Sequence, residues 1–327
     1  MRTPDIAERA RVVALPMRER FRGITVRELV LIESPRGWVE WSPFAEYDDA
    51  EAARWLASTL ESGWGERGTV LRDAVRVNAT VPVIPPEAVP DLLARFPGCR
   101  TAKVKVGGRP LADDVALVAA VREHLGAAGR VRVDVNGAWS VDEAETAIDA
   151  LADLDLEYVE QPCATTDELG ELRRRIAGAV RIAADESVRR AEDPLEVARL
   201  GAADIVIVKP QPLGGARRAL EIAREAGLPV VVSSALESSV GLAAAVRFAA
   251  ALPDFDLDHG LGTAALLAAD VSDEPLLPEN GALPVRDVSV SEERLEAFAA
   301  PPERADWWLD RLRRCLELVD GVGKTRG

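Results

Sequence analysis

Lysine is nearly missing from this chain: of 40 basic residues only Lys103, Lys105, Lys209 and Lys324 are lysines, the remainder being arginine. Histidine is scarcer still, with His124 and His259 alone, so histidine-rich metal clusters and Ser-His-Asp triads are hard to assemble. The three cysteines, Cys99, Cys163 and Cys315, are odd in number and scattered, which excludes a disulfide framework and a thiolate zinc site. No apolar run approaches the roughly 20 residues that span a bilayer. The opening MRTPDIAERARVV also lacks the apolar centre of a secretory signal, so a soluble cytoplasmic protein is expected. A formal charge of −15 sets up a field that repels nucleic acid and anionic membrane, leaving a small molecule as the expected partner. An anionic substrate must then meet local positive charge. The sequence leaves the oligomeric state open and is compatible with a monomer.

What is present is carboxylate, arginine and alanine, and a few lysines in unusual company. Three of the four lie in apolar, strand-like runs. A chain biased toward arginine would leave a few lysines by chance, but the bias does not account for that placement. Arginine keeps its proton in proteins, whereas a lysine depressed by burial and neighbouring cations can act as a base.

From Val75 onward, short β-branched runs alternate with Ala/Leu/Glu/Arg-rich stretches of helical period. Eight runs read as strands: VRVNATVPV, TAKVKVG, VRVDVNG, LEYVEQP, RIAADES, DIVIVKP, LPVVVSS and FDLDHG. Seven of them end in polar residues about 25 positions apart, at Lys105, Asp134, Glu160, Asp185, Lys209, Ser234 and Asp258. This pitch predicts an α/β fold of the (β/α)8 TIM-barrel type over residues 75–283, with those seven residues ringing one mouth. A doubly wound sheet is the competing architecture, but no G-x-G-x-x-G turn follows the first strand. Residues 1–74 read as an α+β capping unit: LVLIES and GWVEWSP as hairpin strands, AEAARWLASTLES as an amphipathic helix. The tail, residues 284–327, is expected to pack back on it. RERFRG, between two strand-like runs, suits either a loop over an active site or a plain solvated hairpin.

Asp134, Glu160 and Asp185 come from three consecutive strands, so their carboxylates are expected to converge, and a hard divalent ion would relieve their repulsion. Mg2+ is the expected ion, with Mn2+ able to substitute. Any one of them could instead be an ordinary helix cap, a reading that fits three in register poorly. Asn136 shares the strand face of Asp134 and could orient a ligand; Glu186 could pair with a neighbouring cation. Lys103 and Lys105 point into the barrel from the second strand, and Lys209 faces them from the sixth. A substrate α-carbon would then lie between opposed amines, whose pKa values their clustering and the metal together should depress.

The ordered set K-x-K, D-x-N, the glutamate of YVEQP, D-E-S and V-K-P-x-x-x-G-G resembles the muconate-cycloisomerase-like branch of the enolase superfamily, over residues 75–263. Within that branch the RFRG loop, the NATVP strand, SSALESSVGLAA and GLGTAALLAADV look most like the dehydratases of the menaquinone pathway that form o-succinylbenzoate from a hydroxycyclohexadiene carboxylate. The resemblance implies that Lys105 is base and then acid, that Lys209 stabilises the enediolate, and that Asp134, Glu160 and Asp185 hold the metal. Substrate contacts are expected from Arg22, Asn136, Ser233, Ser234 and Gly241, although helix capping explains Ser233, Ser234, Ser238 and Gly241 equally well. One departure is DFDLDHG, since paired aspartates there also resemble dipeptide epimerases of the branch, where they bind an ammonium group. The alternatives are therefore an N-succinylamino acid racemase or dipeptide epimerase, and an inactive barrel acting as a binding protein.

Overall fold

Alternating apolar and polar residues at the start of the chain half-bury an antiparallel sheet of β1 (Ala10–Phe21), β2 (Ile24–Ser34) and β3 (Gly37–Trp41), in a computed structural model that describes residues 6–190, 193–253 and 256–324. Arg22 and Gly23, with φ of 50° and 78°, form the two-residue turn between β1 and β2, as a tight hairpin of right-handed twist requires. RERFRG is thus a hairpin tip. It is strapped down, because Arg18 donates to the Leu267 carbonyl and Arg95 pairs with Glu19.

The helix Asp49–Trp64 starts where the Asp48 side chain accepts from the Glu51 N–H, and it buries Trp55 and Leu56. The long helix Pro302–Lys324 packs against both sheet and helix. Its Trp308 stands edge-on to Trp41 at 5.7 Å and donates to Glu28, while buried Arg311 reaches the Phe44 carbonyl.

Seven parallel strands follow in sequential order: β5 (Ala79–Val81), β6 (Thr101–Lys105), β7 (Arg130–Asp134), β8 (Leu156–Glu160), β9 (Ile182–Ala184), β10 (Ile205–Val208) and β11 (Val230–Val232). They are Val/Ile/Ala-rich and almost wholly buried, as a parallel sheet covered by helices demands. Capping boxes at Ser140/Glu143 and Thr165/Glu168 start the helices after β7 and β8. The sheet curls shut through two residues. His259 bridges Val77 and Gly260 bridges Ser233, both in parallel sense, completing a (β/α)8 barrel.

Two expected strands are altered. The run 75–83 splits: β4 (Ala74–Arg76) pairs antiparallel with β12 (Ala282–Pro284), while Val77 and β5 belong to the barrel. The eighth run is no regular strand; its Phe255, like Asp254 before it, lies outside the described residues, and Asp256 turns with φ of 55°.

Candidate active site

Parallel register puts Lys105, Asp134 and Glu160 at one level on β6, β7 and β8, with Lys103, Arg132 and Tyr158 two residues below on the same inward face. Asp185 follows β9, held where its N–H donates to the Gln161 side chain, and Lys209 follows β10. Asp134, Glu160 and Asp185 are all but inaccessible, and burying three carboxylates is costly unless each finds a cation.

Each does. Lys103 Nζ donates to both Glu160 oxygens at 2.7 and 2.8 Å and lies 3.3 Å from Asp134. Lys105 Nζ lies 2.5 Å from Asp134 and donates to Asn136 Oδ1 at 2.7 Å. Lys209 Nζ lies 2.5 Å from Asp185, whose other oxygen accepts from Arg189 at 3.1 Å. The expected convergence is therefore only partly realised. The carboxylates stand on adjacent strands, but each closes onto a lysine, and among the described residues no three acidic, histidine or cysteine side chains gather around a common ion position.

Burial alone would raise Asp134, yet Lys105 and Lys103 hold it well below the carboxylate range; burial likewise opposes Lys209 and Arg189 at Asp185, which falls to about 2. Glu160 goes the other way. Burial first, then the negative charge of Asp134, pushes it up to about 7 despite Lys103. Three carboxylates from consecutive strand ends are an all-oxygen donor set of the kind that fits a hard divalent ion. Lys103 is shifted upward. Burial would lower it, but Glu160 and Asp134 together raise it well above the ordinary lysine range.

Lys103, Lys105, Asp134 and Lys209 open into a cavity of about 690 Å³ roofed by the first sheet and helix: Phe21, Arg22, Gly23, Phe44, Tyr47 and Trp55 face Lys105, Asn136 and Lys209. Arg22 donates to Tyr47 Oη at 2.6 Å and stacks on Phe44 at 3.9 Å. Asn136 links Lys105 to Glu186, and Ser233 and Ser234 line the opposite wall. Gly241 does not line this cavity. Its N–H donates to Glu40, and an added Cβ would lie 2.7 Å from the Glu237 side chain, so its smallness serves packing.

Asp258 is likewise misplaced by the sequence reading. Its carboxylate accepts from Thr101 at the start of β6 and pairs with Arg76, while Asp256 pairs with Arg76 and Arg130, so both lie at the amino end of the barrel, away from the lysines. Paired aspartates there cannot bind a substrate ammonium group at the mouth. The structure also adds Arg189, buried between Asp185 and Glu186, and Tyr47. The i, i+4 spacing of Asp185 and Arg189 on one helical turn was a readable signal; Tyr47 carried none.

Residues 90–289 match the family model described as "Enolase C-terminal domain-like", and residues 12–63 match "Enolase N-terminal domain-like". The chain is 58% identical over 315 residues to a protein of Thermobifida fusca named o-succinylbenzoate synthase, covering 95% of this chain and 98% of that one. It is 55% identical over 318 residues to a synthase of the same name from Mycolicibacterium smegmatis, covering 96% and 97%. The chain belongs to the o-succinylbenzoate synthase family. Among solved structures, a muconate lactonizing enzyme from Pseudomonas fluorescens superposes with a TM-score of 0.76 at 24% identity, covering 89% of this chain and 98% of that one, a likeness of fold. Membership of the o-succinylbenzoate synthase family makes the chain a hydro-lyase that works with a divalent metal ion, and the racemase and epimerase readings are not favoured. No helix among its described residues is long and apolar enough to cross a membrane.

Proposed function

We propose that this protein dehydrates 2-succinyl-6-hydroxy-2,4-cyclohexadiene-1-carboxylate to o-succinylbenzoate, a step of menaquinone biosynthesis, with Mg2+ or Mn2+ held by Asp134, Glu160 and Asp185. The observation that carries this reading is the pair of amines, Lys105 at the end of β6 and Lys209 just after β10, that line one cavity from opposite sides of the barrel. In its neutral form Lys105 takes the proton from the carbon beside the ring carboxylate. As the C–O bond breaks, the Lys105 ammonium returns that proton to the departing hydroxyl, which leaves as water, and the ring becomes aromatic. Lys209 contributes a fixed positive charge where negative charge develops. The divalent ion, when bound, supplies further charge beside the substrate carboxylate. Metal held by Asp134 and Asp185 would release Lys105 and Lys209 from those carboxylates, and Lys103 keeps Glu160 in place from below.

The cavity is within the usual range for a small ligand, about 300 to 1,000 Å³. Arg22 at the hairpin tip is assigned to the succinyl carboxylate, and Asn136, Ser233 and Ser234 to polar contacts along the wall. On this reading residues 1–74 with the tail 284–327 form a cap over a barrel of residues 75–283, since the hairpin tip roofs the barrel mouth. Purified protein with Mg2+, offered the cyclohexadiene carboxylate, N-succinylamino acids and dipeptides in parallel, should form the aromatic product fastest. Epimerisation of a dipeptide without aromatic product would overturn the reading.

A further inference from the structure

Leu236, three residues after the cavity-lining Ser233, has φ of 62°, a conformation that a branched L-residue keeps only when its surroundings hold it. Ser233, Ser234, Ala235 and Leu236 present one side of this segment to the active-site cavity. The other side is gripped by two buried charged residues of the first sheet. Arg27 Nε donates to the Leu236 carbonyl at 3.1 Å and Nη2 to the Ala235 carbonyl at 3.3 Å, while Nη2 also reaches the Ser42 carbonyl. Glu40 Oε2 accepts from the Ser238 N–H at 3.0 Å, the Ser238 hydroxyl at 2.5 Å and the Gly241 N–H at 3.2 Å, and Oε1 accepts from Ser42. The first sheet thus holds carbonyls 235 and 236 through Arg27 and amides 238 and 241 through Glu40. Leu236 is held directly, through its carbonyl on Arg27 Nε.

Gly241 belongs to the same device. A methyl group there would lie 2.7 Å from the Glu237 side chain and 2.9 Å from Glu40 Cδ, so glycine leaves room for the carboxylate to reach the start of the helix Ser239–Ala251. Both charges are almost fully buried, and these bonds, with the Glu28 carbonyl and the Phe44 ring beside Arg27, offset the cost of burying them.

We propose that Arg27 and Glu40 are positioning residues for substrate recognition, clamping Ser234–Ser238 so that its front forms the wall against which the substrate's succinyl arm lies. This rests on the dehydration proposed above. Neither residue touches the lysines or the three carboxylates, so the clamp governs binding of the arm rather than the proton transfer.

The test compares Glu40→Ala, Glu40→Gln and Gly241→Ala with the unaltered protein, measuring kcat and KM for the cyclohexadiene carboxylate and inhibition by o-succinylbenzoate and by benzoate, which lacks the arm. Loss of one or two buried hydrogen bonds predicts a KM raised about tenfold or more in Glu40→Ala. Its kcat should change far less, with inhibition weakened for o-succinylbenzoate but not for benzoate. Glu40→Gln keeps an oxygen for Ser238 and Gly241 and an amide group for Ser42, and should restore most of the affinity. Gly241→Ala, which displaces Glu40 without removing it, should reproduce the KM rise and serves if Glu40→Ala does not fold. Unchanged KM in the folded Glu40→Ala or Gly241→Ala protein, or equal weakening of both inhibitors, overturns the clamp. Absence of dehydration in the unaltered protein refutes the proposed reaction instead.

Discussion

Replacing each of the opposed lysines by arginine separates a proton carrier from a fixed charge. Lys105 Nζ lies 2.5 Å from Asp134 and 2.7 Å from Asn136, and Lys209 Nζ lies 2.5 Å from Asp185, contacts that a guanidinium can also make. Both variants should therefore fold and keep the buried carboxylates paired. A guanidinium cannot accept the α-proton, so Lys105→Arg should lose the whole general-base contribution, about 10²- to 10⁴-fold in kcat, together with the acid step that uses the same proton. Lys209→Arg keeps a cation beside the reacting carbon but moves its head group, and a misplaced electrostatic partner should cost less, roughly ten- to a hundredfold. The assay is the rise of aromatic absorbance under saturating Mg2+, alongside deuterium exchange at the α-carbon of N-succinylamino acids of each hand. Lys105→Arg should lose racemisation together with dehydration, and Lys209→Arg should lose two-sided exchange while Lys105 still exchanges the proton on its own face. If folded, metal-loaded Lys209→Arg were as inactive in dehydration as Lys105→Arg, the one-base mechanism would be wrong.

Chelation should abolish turnover and Mg2+ or Mn2+ restore it; full activity after exhaustive chelation, with metal content checked by elemental analysis, would refute the role given to Asp134, Glu160 and Asp185. Glu40, pushed up to about 7 by burial and then by Glu237, makes the folded chain bind more protons than the unfolded one between its ordinary 4.5 and 7. Stability should accordingly fall as pH rises through that window, by about 3 kcal/mol in all, and Glu40→Gln should flatten the dependence in urea titrations at pH 5 and 8. Asp258→Asn should lower the melting temperature, since it weakens a buried bond to Thr101 and the pair with Arg76, at about 1–3 kcal/mol. Its kcat and KM should stay as they were; a large KM rise would return Asp258 to the substrate site.

The barrel was legible because a parallel strand buried on both faces must be a short apolar run, and its carboxyl end must be polar where it meets the mouth. That rule located Lys105, Asp134, Glu160, Asp185, Lys209 and Ser234, and it failed at Asp258 for a physical reason. Among the described residues the last run contributes only His259 and Gly260 to the ring, so Asp258 enters from below. Gly241 was read for its exposed N–H, whereas its partner, Glu40, is distant in sequence and inside an ordinary-looking hairpin strand. Arg27 was invisible likewise. A charge on a strand reads as solvent-facing unless the carbonyls it will meet are known, and those of Ala235 and Leu236 come from the other end of the chain.

The two-residue closure has a consequence for the order of events during folding. Each of the seven regular strands can add to its predecessor across one short crossover, but the bridge from His259 to Val77 joins positions at opposite ends of the barrel sequence. Such long-range contacts form late, because the chain entropy they cost is offset only once the rest of the sheet is in place. Gly260 and Ser233, which flank that seam, also line the cavity. A refolding chain should thus regain most of its helical circular dichroism before it regains any turnover, the lag being the time the ring takes to shut.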